Sequence, residues 1–242
     1  MTEEKAPSRM PSEKITTIAR QWQKNSILNP ALLEQLYEIN HIYLDMLALG
    51  TRAWIGSQQH LFLPDPVTAS LMELDAARRA AAAKCPFTLF NAQFQNASFW
   101  ISLASDVATR ESVELFADTD NKRNGSTSFT EMALFYAWHL VRSHPHAAQL
   151  LLGMKSQTLN AFKHLSLARL KYLSTARPDL ITPRWPERTR FWKVMLSAAR
   201  QGAEERIVEL RLVGVQMIAA ELAANVVPET RMRTVVSAPS SI

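Results

Sequence analysis

The 242-residue chain has a single cysteine, Cys85, which excludes an intrachain disulfide framework and any site built on several thiolates. Cys85 lies between an alanine-dense segment and Pro86-Phe87, a setting that reads as a small buried hydrophobe rather than a reactive thiol. Six glycines are too few for a glycine-rich nucleotide fold, and no P-loop, dinucleotide fingerprint or nucleophile elbow occurs. No window reaches about 18 uncharged apolar residues, so no membrane span is expected. The N-terminus, MTEEKAPSRMPSEK, lacks the apolar core of a signal peptide, and a cytoplasmic location follows as the expectation.

The groups that could carry chemistry are equally sparse. His139, His144 and His146 are the one local histidine cluster. A five-residue step separates the first two, Pro145 intervenes before the third, and no HExxH arrangement is completed. Residues 118 to 127, DTDNKRNGST, invite comparison with a calcium loop. Counted from Asp118, however, Lys122 and Arg123 stand where an oxygen ligand and glycine are needed. Glu73, Asp75 and Asp106 fit solvated helix faces. The expectation is therefore no metal, no cofactor and no catalysed reaction.

What is present is a helical pattern. Hydrophobic residues make up 47% of the chain, and twelve prolines divide it into segments. Residues 1–14 read as a disordered leader and residues 15–24 as a short helix. Asn29-Pro30 combines an asparagine cap with proline at the first helical position. From there Leu33, Leu36, Tyr37, Asn40, Tyr43, Leu44 and Leu47 follow helical spacing, which predicts a helix from 30 to about 54. Asp65-Pro66 repeats the cap signature, with Val67, Leu71, Leu74 and Ala77/Arg78 continuing in one stripe. CPFTLF is expected to be extended or a turn, followed by a helix over about 94–108.

After the polar linker 118–127, Ser128 and Glu131 form a capping box for a helix reaching about Val141. Shorter helices follow, one ended by Gly153 and another capped by Ser166. A proline-bounded hinge carries Pro178, Pro183 and Pro186. A long helix or broken pair then runs from about 187 to 224, weakest at Gly202.

Parts of this outline occur twice. Pro86, Leu89, Phe99 and Trp100 stand 92 residues before Pro178, Ile181, Phe191 and Trp192. Each copy opens with an aromatic-rich helix, crosses a proline and enters a helix at Phe-Trp. The expected fold is all-α, with two tandem helical modules (residues 15–117 and 128–227) packed as a pseudo-dimer and a flexible tail over 228–242.

Charge is unevenly placed. The whole chain is +5 from 27 bases and 22 acids. Between Arg169 and Arg200, eight bases face only Asp179 and Glu187, so that stretch alone is +6. Arg177, Arg184, Arg188, Arg190 and Lys193 are the candidates for DNA phosphate contact, because guanidinium donors match phosphate oxygens in pairs. A solvated face around buried aromatics is the competing reading. No compact helix-turn-helix is evident. Phe99, Trp100, Trp185, Phe191 and Trp192 are candidates for a protein interface, since aromatics anchor contacts, with core packing as the alternative.

The second copy, Phe135 to about Leu196, resembles the FlhD family of bacterial transcriptional regulators. The likeness rests on the aromatic and leucine-rich Phe135 to Leu140, the step Leu152-Gly153-Met154, the leucine spacing from Leu165 to Leu173 and the hinge Ile181 to Trp185. The first copy is similar at LLEQLYEINHIYLDMLAL (Leu32 to Leu49) and at CPFTLFN (Cys85 to Asn91). The resemblance implies an all-helical subunit in which one chain imitates the family's homodimer. It further implies an FlhC-like protein partner, DNA bound within that complex, transcription activation and possible homo-oligomers. A helical adaptor or chaperone without DNA binding is the rival from another class.

Overall fold

The computed structural model describes residues 29–50, 63–105 and 125–223. Ten α-helices, one 3-10 turn and one two-stranded pair make up these residues, so the class is mostly α. The expected helix over 15–24, the end of the first long helix near 54 and residues 118–124 of the linker lie outside the described residues, as does the tail from 224.

Asn29 starts helix α1 (Pro30–Gly50) as its spacing predicts: its Oδ1 accepts from the Leu32 amide at 2.9 Å. One face of α1 buries Leu32, Leu36, Ile39, Tyr43, Leu44 and Leu47. Asn40 lies among them, fully buried. Its side-chain amide donates to the carbonyls of Ala83 (3.2 Å) and Phe87 (2.8 Å), and its Oδ1 accepts from Leu89 N at 2.9 Å. A polar group inside an apolar stripe thus satisfies the loop that no helix or strand satisfies.

The stripe expected to run unbroken past Leu74 is two helices, α2 (Asp65–Met72) and α3 (Ala76–Ala83). The break is local chemistry. Asp75 Oδ1 accepts from Arg78 N at 2.8 Å, starting a new helix where periodicity alone continues the old one. Asp65 makes no side-chain cap bond; Pro64 flanks α2 instead. Beyond the CPFTLF loop come β1 (Phe90–Asn91) and α4 (Ala97–Ser105).

Helix α5 (Gly125–Ser143) begins three residues before Ser128, inside the expected linker. Ser128 is therefore not its cap, and the Glu131 carboxylate bonds to Lys171 Nζ instead. Helix α6 (Pro145–Leu152) ends on Gly153, whose φ of 63° is the left-handed conformation that favours glycine. Next come α7 (Ser156–His164), α8 (Leu167–Ala176, capped by Ser166 through Arg169 N at 3.2 Å), the 3-10 turn Pro178–Leu180 and β2 (Thr182–Pro183). The final segment is a broken pair, α9 (Thr189–Gln201) and α10 (Glu204–Ala223), joined at left-handed Gly202.

Conformation repeats at the same spacing as the sequence outline. β1 and β2 pair antiparallel, Phe90 with Pro183 and Asn91 with Thr182. A 92-residue step carries Phe90 onto Thr182 and Asn91 onto Pro183, so each strand pairs with its own equivalent in the register a two-fold axis would generate. Gln93 and Trp185, also 92 apart, are the two non-glycine residues with positive φ among the described residues, at 53° and 50°. Helices α4 and α9 start at Ala97 and Thr189, again 92 apart. The indoles of Trp100 and Trp192 donate to Gln93 O (3.1 Å) and Arg184 O (2.9 Å) in the preceding turns. The packing is reciprocal: α4 lies on α7 and α9 lies on α2. The two first helices, α1 and α5, meet each other, with Tyr43 and Phe129 rings 5.2 Å apart.

Candidate functional site

The turn before α9 separates the five basic candidates by burial. After β2 the chain passes Arg184, then the left-handed Trp185, then a turn that closes through Arg188 N to Trp185 O at 2.9 Å. Helix α9 buries Phe191, Trp192, Met195, Leu196, Ala198 and Ala199. At about 100° per residue, the remaining arc carries Arg190, Lys193 and Arg200, all exposed, and Arg188 precedes it at the N-cap. Arg200 meets Glu73 at 2.9 Å. Arg188 lies 3.8 Å from Glu187, with both side chains about two-thirds exposed. Arg190 and Lys193 meet no carboxylate within ion-pair distance among the described residues. The first two turns of α9 thus present cations to solvent, and the helix dipole adds positive potential there.

Arg184 does not belong to this face. It is 2% exposed, so its expected contact with DNA phosphates is corrected by its burial. Its Nη2 donates to Leu152 O at 2.6 Å and its Nη1 to Thr88 Oγ1 at 3.2 Å. The Glu221 carboxylate lies 3.9 Å away, a Coulombic contact longer than a hydrogen bond. Desolvation pushes the guanidinium pKa down to about 10, and Glu221 partly opposes that. The same carboxylate accepts from Trp185 Nε1 and from Gln95 Nε2, the latter at 3.2 Å. This network fastens the last turn of α10 to both strand-following turns. Arg177 is exposed but committed, with Nε and Nη2 each 2.9 Å from the Asp179 carboxylate. That hydrogen bonding raises its pKa.

Four of the five aromatic candidates are also corrected by burial. Trp100 and Trp192 are fully buried, Trp185 and Phe191 nearly so, and only Phe99 is half-buried. Trp100 packs against Phe162 of α7 with the rings tilted and 4.3 Å between centroids, and Trp185 lies against Phe87 at 5.6 Å. Trp100 and Trp185 join one half of the chain to the other, and of the five only half-buried Phe99 keeps part of its ring at the surface.

No family model, curated protein or solved structure matches this chain. Among the described residues, no three of His, Cys, Asp and Glu converge to hold a metal ion. His139, His144 and His146 are exposed. Cys85 is buried as its setting predicts, and burial pushes its thiol up to about 12, away from the reactive thiolate. No helix among the described residues is long and apolar enough to cross a membrane.

Sequence reasoning missed the Arg184–Glu221 network and the role of Asn40. Neither had a usable signal: Glu221 lies in a helix with ordinary charge spacing, and Asn40 falls on an apolar stripe.

Proposed function

We propose that the chain is a non-catalytic, transcription-regulator-like subunit that contacts the DNA backbone through the start of α9 and assembles there with a protein partner. The observation that carries this reading is the exposed trio Arg188, Arg190 and Lys193, two of them without a carboxylate. Cations not neutralised internally release counterions from a phosphate backbone when they bind it, whereas paired Arg177 and buried Arg184 have little to offer. The trio holds no arrangement for reading base edges, so affinity is expected to be largely independent of sequence. Specificity would come from the partner, in keeping with the FlhD-like resemblance and its FlhC-like companion. The tandem modules, on this reading, take the place of the two subunits of a homodimer.

The test is a salt titration of duplex binding by the wild type and by Arg190→Glu/Lys193→Glu. Loss of two phosphate contacts should reduce the slope of log K against log salt by about 2 and weaken binding to unrelated duplexes alike. Unchanged affinity and slope would reject the reading. A second reading, a helical adaptor, is favoured by α10, where Val208, Leu212 and Val215 are exposed at four-three spacing. Salt-insensitive protein binding lost on Leu212→Glu would support it.

A further inference from the structure

We infer that the chain meets DNA on one side only: its second strand–turn–helix unit carries the phosphate contacts and its first carries none. The inference rests on the proposed DNA-contact reading and adds how many backbone segments one chain engages. Eight residues, 90–97 and 182–189, run through the same series of strand, bend, turn and helix start. The left-handed residue falls at the same step in both, and the strands pair with their own equivalents. The positions in α4 that correspond to the α9 cations are therefore defined. Asn96 stands for Arg188, Ser98 for Arg190 and Ile101 for Lys193, each 92 residues earlier.

All three are exposed, as their counterparts are. Equivalent geometry thus offers three cations at the start of α9 and no charge at the three matching positions of α4. Ile101 is 44% exposed, and an apolar side chain releases no counterions when it approaches a phosphate. A symmetric dimer presents the same face twice and reads paired half-sites with matching symmetry. This chain repeats the strand–turn–helix unit but carries cations at only one of the two equivalent helix starts, so through these units it covers one backbone segment and gains nothing from a palindrome.

The test compares three full-length proteins on a random-sequence duplex: wild type, a face reversal on α9 (Arg188→Glu, Arg190→Glu, Lys193→Glu) and one on α4 (Asn96→Glu, Ser98→Glu, Ile101→Glu). Thermal melts check folding. The wild type should bind one duplex segment per chain with a salt slope near −3, from about three phosphates at 0.9 each. The α9 reversal should lose about tenfold or more in affinity, and the α4 reversal should stay within about twofold of wild type. If the α4 reversal loses as much as the α9 reversal, or the wild-type slope is near −6, one-sided contact is overturned while DNA binding stands. If the wild type binds no duplex even at low salt, the DNA reading falls and this inference with it. Should the α9 variant fail to fold, the wild-type slope and the α4 variant decide the matter.

Discussion

Arg184 shows how far a single side chain's role is decided by its surroundings. Its charge is desolvated, yet the Leu152 carbonyl and Thr88 both depend on it. Removing the guanidinium leaves the buried Leu152 carbonyl and Thr88 without their donor, which costs about 1–3 kcal/mol for each unsatisfied group. Arg184→Met should therefore lower stability by about that amount in urea denaturation. Arg184→Met/Glu221→Gln should recover little of the loss, because the Glu221 carboxylate keeps water and its Trp185 and Gln95 donors when the guanidinium is gone. A single-variant loss below about 1 kcal/mol would mean that the network contributes little.

Cys85 makes a pH prediction. Its thiol ordinarily titrates at 9.0 and is pushed to about 12 by burial. Between those values the unfolded chain sheds the proton and the folded chain keeps it, so rising pH favours unfolding. The thiol's contribution is whole below pH 9 and lost as pH climbs toward 12. Arg184 works in the opposite direction above about 10, since burial makes its folded form release the proton earlier. Denaturation curves at pH 8 and pH 10 should differ less for Cys85→Ala than for the wild type; equal differences would contradict the assignment.

At the scale of elements, the side-chain caps decide where helices break. Asp75 and Ser166 begin α3 and α8 in the same way, each accepting from the amide three residues on. Asp75→Ala and Ser166→Ala should each cost about 1 kcal/mol, measured by equilibrium unfolding, without altering neighbouring elements. Helix α10 depends on a close approach rather than a cap. A side chain at Gly214 would fall within the Phe87 ring, so α10 seats on the core only because this residue lacks a Cβ. Gly214→Val should raise hydrogen exchange along α10 while the amides of α1 and α5 keep their protection. Uniform loss across all helices would show that α10 is no separate unit.

At the scale of the whole molecule, α4 belongs in sequence to the first half but packs on α7 of the second, and α9 does the reverse. Neither half closes its own core. Trp100→Ala, which empties a site against Phe162, should cost about 3–5 kcal/mol and shift one cooperative transition in both near-ultraviolet and far-ultraviolet circular dichroism. Two separated transitions would show halves that fold independently. The reciprocal exchange also explains why Trp100 and Trp192 look like interface residues in the sequence and prove to be core: the surface they cover belongs to the other half of the same chain.

Helix content, most helix starts, the joint at Gly202, the buried cysteine and the recurrence at 92 residues were readable from the chain alone. They depend on neighbours a few residues apart: apolar period, proline and glycine dihedrals, short polar caps. Even there, competition between local signals misplaced three boundaries, at Asp75, at Gly125 and at Ala97, where the expected helix start is about 94. Burial of individual groups was another matter. Arg184 and Arg188 are four residues apart in one basic stretch, and nothing local sends the first into the core and the second to solvent. That division comes from long-range packing, where Leu152, Thr88 and Glu221 supply hydrogen-bond acceptors and a countercharge for one guanidinium and leave the other to water.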